Sequence, residues 1–164
     1  MTPRHRLNGS STEFIQGQSS TRYSVVTMNS SYKTGDVVRV WIEDNQSTGY
    51  RGILLQARRT SGNTPLGRWR NPPANTKLIT CANENDAITH DNTMVKTTNA
   101  VYEWVPSQNY GDIEFVATVA EMRTLFWVQL KTSTLTGGAS QLMYSERHLV
   151  LTAFPLLISL LMQY

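Results

Sequence analysis

Hydrophobic and polar residues alternate through the middle of the chain with the period of half-buried strands. In residues 36–43, Val38, Val40 and Ile42 share one side, and Arg39, Trp41 and Glu43 share the other. In residues 112–119, Ile113, Phe115, Ala117 and Val119 point one way. Residues 124–131 place Phe126, Val128 and Leu130 on one face, with Trp127 opposite. Residues 23–28, 50–58, 76–80 and 100–105 supply further candidate strands. Between these runs lie Lys33-Thr34-Gly35-Asp36, Ser61-Gly62-Asn63-Thr64-Pro65, Asn71-Pro72-Pro73 and Pro106-Ser107-Gln108-Asn109-Tyr110-Gly111. Gly and Asn tolerate positive φ, and Pro presets a turn while interrupting a ladder, so each cluster reads as a turn. About seven short strands with such punctuation predict an all-β, antiparallel sandwich. No long amphipathic helix is predicted before residue 148.

Three regions separate on this pattern. Residues 1–22 are polar and turn-rich and read as an extended arm; residues 23–131 carry the strands and are expected to close the sandwich. Residues 132–147 form a polar Thr/Ser/Gly spacer ahead of an apolar end at 148–164. Composition agrees with a single all-β domain of 164 residues. Charged residues are only 16%, and the difference is made up by 20 Thr, 14 Ser, 11 Asn and 8 Gln, which argues against a helical bundle or coiled coil. A net charge of +3 is too mild to indicate a nucleic-acid partner. One cysteine, Cys81, excludes a self-contained disulfide scaffold and any multi-cysteine zinc site.

The carboxyl end bears on location. Residues 148–164 contain no Asp, Glu, Lys or Arg, and as a helix they would reach roughly 26 Å, the short edge of a bilayer core. Upstream stand the small residues Gly137, Gly138, Ala139 and Ser140, then a polar spacer. Small residues, spacer and apolar tail are the layout of a glycosylphosphatidylinositol attachment signal, with those four as candidate attachment positions. A permanent tail-anchored helix and a buried terminal helix are the alternatives. No apolar stretch near Met1 forms a secretory signal, so an export-dependent anchor implies a chain that lacks its beginning. Asn8, Asn29 and Asn45 head N-glycosylation triplets in polar stretches.

Gly49-Tyr50-Arg51-Gly52-Ile53-Leu54-Leu55-Gln56-Ala57-Arg58 resembles the signature strand of reeler (reelin-type) domains. Further blocks follow in that family's order: Gly67-Arg68-Trp69, Leu78-Ile79-Thr80-Cys81, Ala87-Ile88-Thr89-His90, Trp104-Val105-Pro106, Phe115-Val116-Ala117-Thr118-Val119 and Phe126-Trp127. Met1-Thr2-Pro3-Arg4-His5 is similar to the family's entry sequence. The resemblance covers residues 1 to about 131. It implies an immunoglobulin-like sandwich of extracellular type, as in reelin, spondins, ferric-chelate reductase-like proteins and insect defence proteins. It also implies a disulfide between Cys81 and a cysteine upstream of Met1, so that one truncation accounts for both the unpaired Cys81 and the absent leader. Innate immunity enters only by this analogy.

Candidate chemistry is sparse. His5, His90 and His148 show no ligand spacing with Cys81 or Asp91, so no metal or cofactor is expected, and no nucleophile elbow, phosphate loop or zincin motif occurs. His90 reads as a loop residue bonded to backbone. Charge is segregated: residues 45–83 contain no acid but Arg51, Arg58, Arg59, Arg68, Arg70 and Lys77, whereas residues 84–121 hold seven acids against Lys96. Arg58 and Arg59, meeting Arg68 and Arg70 across a hairpin with an exposed Trp69 between them, form a candidate site for sulfated or phosphorylated glycans. The competing reading pairs these arginines with the acidic segment inside one fold. Trp41, Trp104 and Trp127 are expected in the core. The expectation is a non-enzymatic cell-surface module that recognises proteins, glycans or microbial surface polymers, held to the membrane by its tail. The alternative is a truncated ferric-chelate reductase-like membrane protein in which this domain is accessory.

Overall fold

The computed structural model describes residues 4–7, 11–14 and 22–138, and all regular structure among them is β. Two short strands, β1 (Arg4–Leu7) and β2 (Ser11–Phe14), pair antiparallel within the expected arm. One four-stranded sheet is built from β3 (Tyr23–Thr27), β5 (Val38–Asp44), β10 (Tyr102–Val105) and β7 (Arg68–Arg70), in that spatial order. A five-stranded sheet runs β12 (Leu125–Lys131), β11 (Ile113–Met122), β6 (Gly52–Arg59), β9 (Ala87–His90) and β8 (Thr76–Ile79). Both sheets are antiparallel throughout. A short parallel pair, β4 (Ser31–Tyr32) with β13 (Thr136–Gly137), completes the set.

The sheets bury their facing sides in one core, as the alternation requires. Val25, Val38, Val40, Ile42, Tyr102, Trp104 and Trp69 come from the first sheet, and they meet Ile53, Leu55, Ala57, Ile88, Phe115 and Val119 from the second. Edge-on aromatic contacts join the layers: Trp104 lies 5.4 Å and Trp69 5.7 Å from the Phe115 ring. Each such buried ring contributes about 1.5–3 kcal/mol through removal of apolar surface from water, with a further increment from its geometry.

Four expectations change. Trp69 is 2% exposed, not exposed, because β7 alternates like any strand and its flanking arginines point the opposite way. Trp41 is not in the core but on the outward side of β5 with Arg39 and Glu43. Trp127 and not Phe126 takes the core side of β12: it stands opposite the core residue Val119, while Phe126, opposite Ala120, is buried outside that cluster, and the shift of register at Gln129 (φ 57°) returns Leu130 to the core side. Finally, the body continues past residue 131 to Gly138. Leu135 is buried and bridged to Ile113, and Gly138 N donates to Tyr32 O at 2.7 Å. Residues 139–164, with the apolar run expected to be helical, lie outside the described residues.

Candidate functional site

The predicted basic site is divided by the fold. Arg58 and Arg59 end β6 in the five-stranded sheet, while Arg68 and Arg70 flank Trp69 on β7 in the four-stranded sheet, so no hairpin brings them together. Arg58 is buried, and its Nε donates to Gln56 Oε1 at 3.0 Å. Burial lowers its pKa from the ordinary arginine value. Arg59 is exposed at the sheet's end. Trp69 is enclosed by the core, and its Nε1 has no hydrogen-bond partner among the described residues.

What the four-stranded sheet does assemble is a charged row on its outward face. Cross-strand register sets Glu103 of β10 opposite Arg39 of β5 on one side and Arg70 of β7 on the other. Arg70 Nε lies 2.9 Å from Glu103 Oε2, Arg39 Nε lies 3.9 Å from Oε1, and Asn71 Nδ2 donates to Oε2 at 3.1 Å. The hydrogen bonds from Asn71 and Arg70 hold the Glu103 carboxyl below its usual range. Arg68 stands one register step along, opposite Val105, and pairs with Glu84 at 2.8 Å. Arg39, Arg68 and Arg70 are 71%, 61% and 50% exposed. Exposed pairs of this kind contribute about 0–1 kcal/mol each, so an incoming anion displaces them at little expense. Arg39 lies outside the acid-poor segment 45–83, and its alternation with Trp41 and Glu43 is the sequence signal that puts it on this face.

Beside this row, where β3 pairs with β5, the outward face dips into a polar groove of about 380 Å³. It is lined by the buried ion pair of Arg22 and Asp44 together with Trp41, Glu43, Ser24, Asn45 and Thr98. Trp41 Nε1 donates to Glu43 Oε1 at 3.2 Å. Arg22 donates to Asp44 Oδ1 at 3.1 Å and also to Glu121, and its guanidinium lies 4.8 Å from the Tyr23 ring centroid. The Asp44 hydrogen bond raises the Arg22 pKa further. Burial alone would raise the Asp44 carboxyl, but hydrogen bonds from Arg22 and from the N–H groups of Gln46 and Gly49 outweigh it and lower it to about 2.

Other predicted positions are placed as follows. Cys81 is a free, exposed thiol within 3.3 Å of Gln56 Nε2. The next loop is tied by buried Asp86, which accepts from Cys81 N and Ala82 N, each at 2.8 Å. His90 closes β9 rather than a loop, its Nδ1 3.3 Å from Ile53 N and O. Asn29 and Asn45 are exposed, and Asn8 lies outside the described residues. Gly137 sits in β13, where an added Cβ would stand 2.1 Å from Asn109 Oδ1 and 3.0 Å from Gly111 O, so a larger residue would displace the Asn109 side chain. Gly138 is bonded to Tyr32 and is likewise part of the body, whereas Ala139 and Ser140 lie outside the described residues.

Comparison with known proteins agrees with this architecture. The family model described as Reeler domain matches residues 1–141. "Putative defense protein 3" of Antheraea mylitta is 33% identical over 115 residues, covering 70% of this chain and 69% of that protein. Ferric-chelate reductase 1 of Mus musculus is 26% identical over 122 residues, which span 72% of this chain but 20% of the reductase. Among solved structures, the human F-spondin reeler domain superposes with a TM-score of 0.59 at 18% identity, covering 72% of this chain and 90% of that domain.

Proposed function

This chain belongs to the Reeler domain family, and we propose that it is a non-catalytic binding module of the extracellular type whose working surface is the outward face of the four-stranded sheet. The observation that carries the reading is the row Arg39–Glu103–Arg70 with Arg68 beside it. Strands lie about 4.8 Å apart, so the backbones of Arg39 and Arg70 are separated by two spacings, roughly 10 Å. Planar guanidinium groups held by a rigid sheet at that separation suit successive sulfate, phosphate or carboxylate groups of an acidic glycan or microbial surface polymer. The two arginines drawn from the acid-poor segment, Arg68 and Arg70, stay in this proposal; Arg58 and Trp69 leave it because they are buried.

The test is retention on a sulfated polysaccharide column against salt. Wild type should elute at higher salt than Arg39→Ala/Arg68→Ala/Arg70→Ala, with Arg59→Ala unchanged. Equal elution of all three proteins refutes the surface.

An immunoglobulin-like architecture is the finer reading of the two packed sheets. Mooring by a lipid belongs to the same proposal, at Ala139 or Ser140 rather than at the paired Gly137 and Gly138, and is supported by the charge-free run at 148–164. Loss of the protein from intact cells on treatment with a phosphatidylinositol-specific phospholipase tests it; retention contradicts it. The chain spans a fifth of the length of that reductase, so the reductase's activity is not carried over to it, and the reductase-like accessory domain remains the alternative reading.

A further inference from the structure

The groove beside Trp41 ends at an acceptor asparagine. Strand alternation carries Trp41 and Glu43 onto the same outward side, and Asn45, the first residue of the turn after β5, begins the triplet Asn45-Gln46-Ser47. The turn holding it is tied by hydrogen bonds. Ser47 N donates to Asp44 O at 3.1 Å, and the Asp44 carboxylate accepts from Gln46 N, Thr48 N and Gly49 N at 2.8–3.1 Å. Asn45 and Trp41 both line the groove, whose volume of about 380 Å³ is that of a small-ligand site.

We infer that Asn45 carries an N-linked glycan whose innermost sugars lie in this groove against the Trp41 ring. A pyranose presents an apolar face of C–H bonds and a rim of hydroxyls. The indole matches the face, while the Ser24 and Thr98 hydroxyls and the Glu43 carboxylate match the rim. The four residue steps from Trp41 to Asn45 reach at most roughly 13 Å, a distance an asparagine side chain and its first sugars bridge. Asn29 is exposed as well, but lies in the β3–β4 turn beside the solvent-exposed Met28 and outside this groove.

In the modifying step, the Asn45 amide nitrogen attacks C1 of the reducing-end N-acetylglucosamine of a lipid-linked diphosphate oligosaccharide. The N–C1 bond forms, the C1–O bond to the diphosphate breaks, the lipid diphosphate leaves, and the amide proton passes to the transferase. The inference rests on the extracellular-type reading, because that donor is met only by exported chains. The seated glycan would cover the aromatic end of the outward face and leave the Arg39–Glu103–Arg70 row as its open part.

The full chain behind a secretory leader, expressed in eukaryotic cells, gives the test. Peptide mapping reads occupancy at Asn8, Asn29 and Asn45. Melting is then compared before and after enzymatic removal of the glycan in wild type, Trp41→Phe and Trp41→Ala. Asn45 should be occupied, and removal should lower the wild-type midpoint by roughly 2–4 °C, the Trp41→Phe midpoint by less, and leave Trp41→Ala unchanged. Acrylamide quenching of tryptophan fluorescence should rise on removal in wild type only. Secreted protein with Asn45 unmodified overturns this inference and leaves the binding module standing. An occupied Asn45 with equal losses in wild type and Trp41→Ala overturns the seating on the indole. Failure of the chain to be exported at all strikes the extracellular reading first.

Discussion

Replacing Asp44 by asparagine removes one charge from a buried network and leaves its shape nearly intact. The carboxylate accepts from Arg22 Nε at 3.1 Å and from the N–H groups of Gln46, Thr48 and Gly49 at 3.1, 2.9 and 2.8 Å. In the unfolded chain that carboxyl titrates near 3.9; in the fold it is lowered to about 2. A lowered folded-state pKa means that the ionised group stabilises fully above the unfolded value, and that this stabilisation is lost as pH falls through the folded value. The difference corresponds to roughly 2–3 kcal/mol. Asp44→Asn also leaves the buried Arg22 guanidinium with Glu121 as its remaining acidic partner. The loss at neutral pH should therefore be about 2–4 kcal/mol, below the full expense of an unpaired buried charge. Urea unfolding followed by tryptophan fluorescence, at steps from about pH 7 to about pH 2, measures both proteins. The stability gap should hold down to about pH 5 and then narrow by about 2 kcal/mol toward pH 2 as the wild-type carboxyl protonates. A gap that does not change with pH would show that the loss is steric, and would refute the electrostatic account of this turn.

Two further substitutions probe the packing. Trp69→Ala should destabilise by about 3–5 kcal/mol in denaturant unfolding, whereas Trp41→Ala in the unglycosylated protein should cost under about 1 kcal/mol, the reverse of the ranking expected from flanking charges. Gly67 adopts φ +66° with an added Cβ only 2.5 Å from Trp104 Nε1. Gly67→Ala should therefore cost about 2 kcal/mol or more, read as a lowered melting midpoint, through both the strained backbone and the displaced indole.

Strand positions and the two-faced character of β5 and β11 were legible in the alternation, because side chains on a pleated strand must take turns between core and water. The same rule, applied to Arg68-Trp69-Arg70, predicts a buried tryptophan between outward arginines; proximity to charge in the sequence suggested the opposite, and the period-two geometry prevailed. At β12 the run of Phe126, Val128 and Leu130 points to Phe126 as the inward residue, but Trp127 takes the core side, since the residue that resets the register, Gln129, carries no turn signature. Extension of the body to Gly138 was hidden because β13 is two residues long and its anchor, Leu135, is one apolar residue in a polar stretch. Resemblance of the central motif identified the family, but not the charged row. That row depends on which strands become neighbours: Arg39 and Arg70 meet Glu103 only because β10 is inserted between β5 and β7.

The outward face of the four-stranded sheet is the central claim, and nuclear magnetic resonance reads it residue by residue. Isotope-labelled protein titrated with a defined sulfated oligosaccharide should shift the guanidinium signals of Arg39, Arg68 and Arg70 and the backbone amide of Glu103, with the shifts suppressed by added salt. Shifts confined to the five-stranded sheet around Arg59, or none at saturating oligosaccharide, would contradict the account.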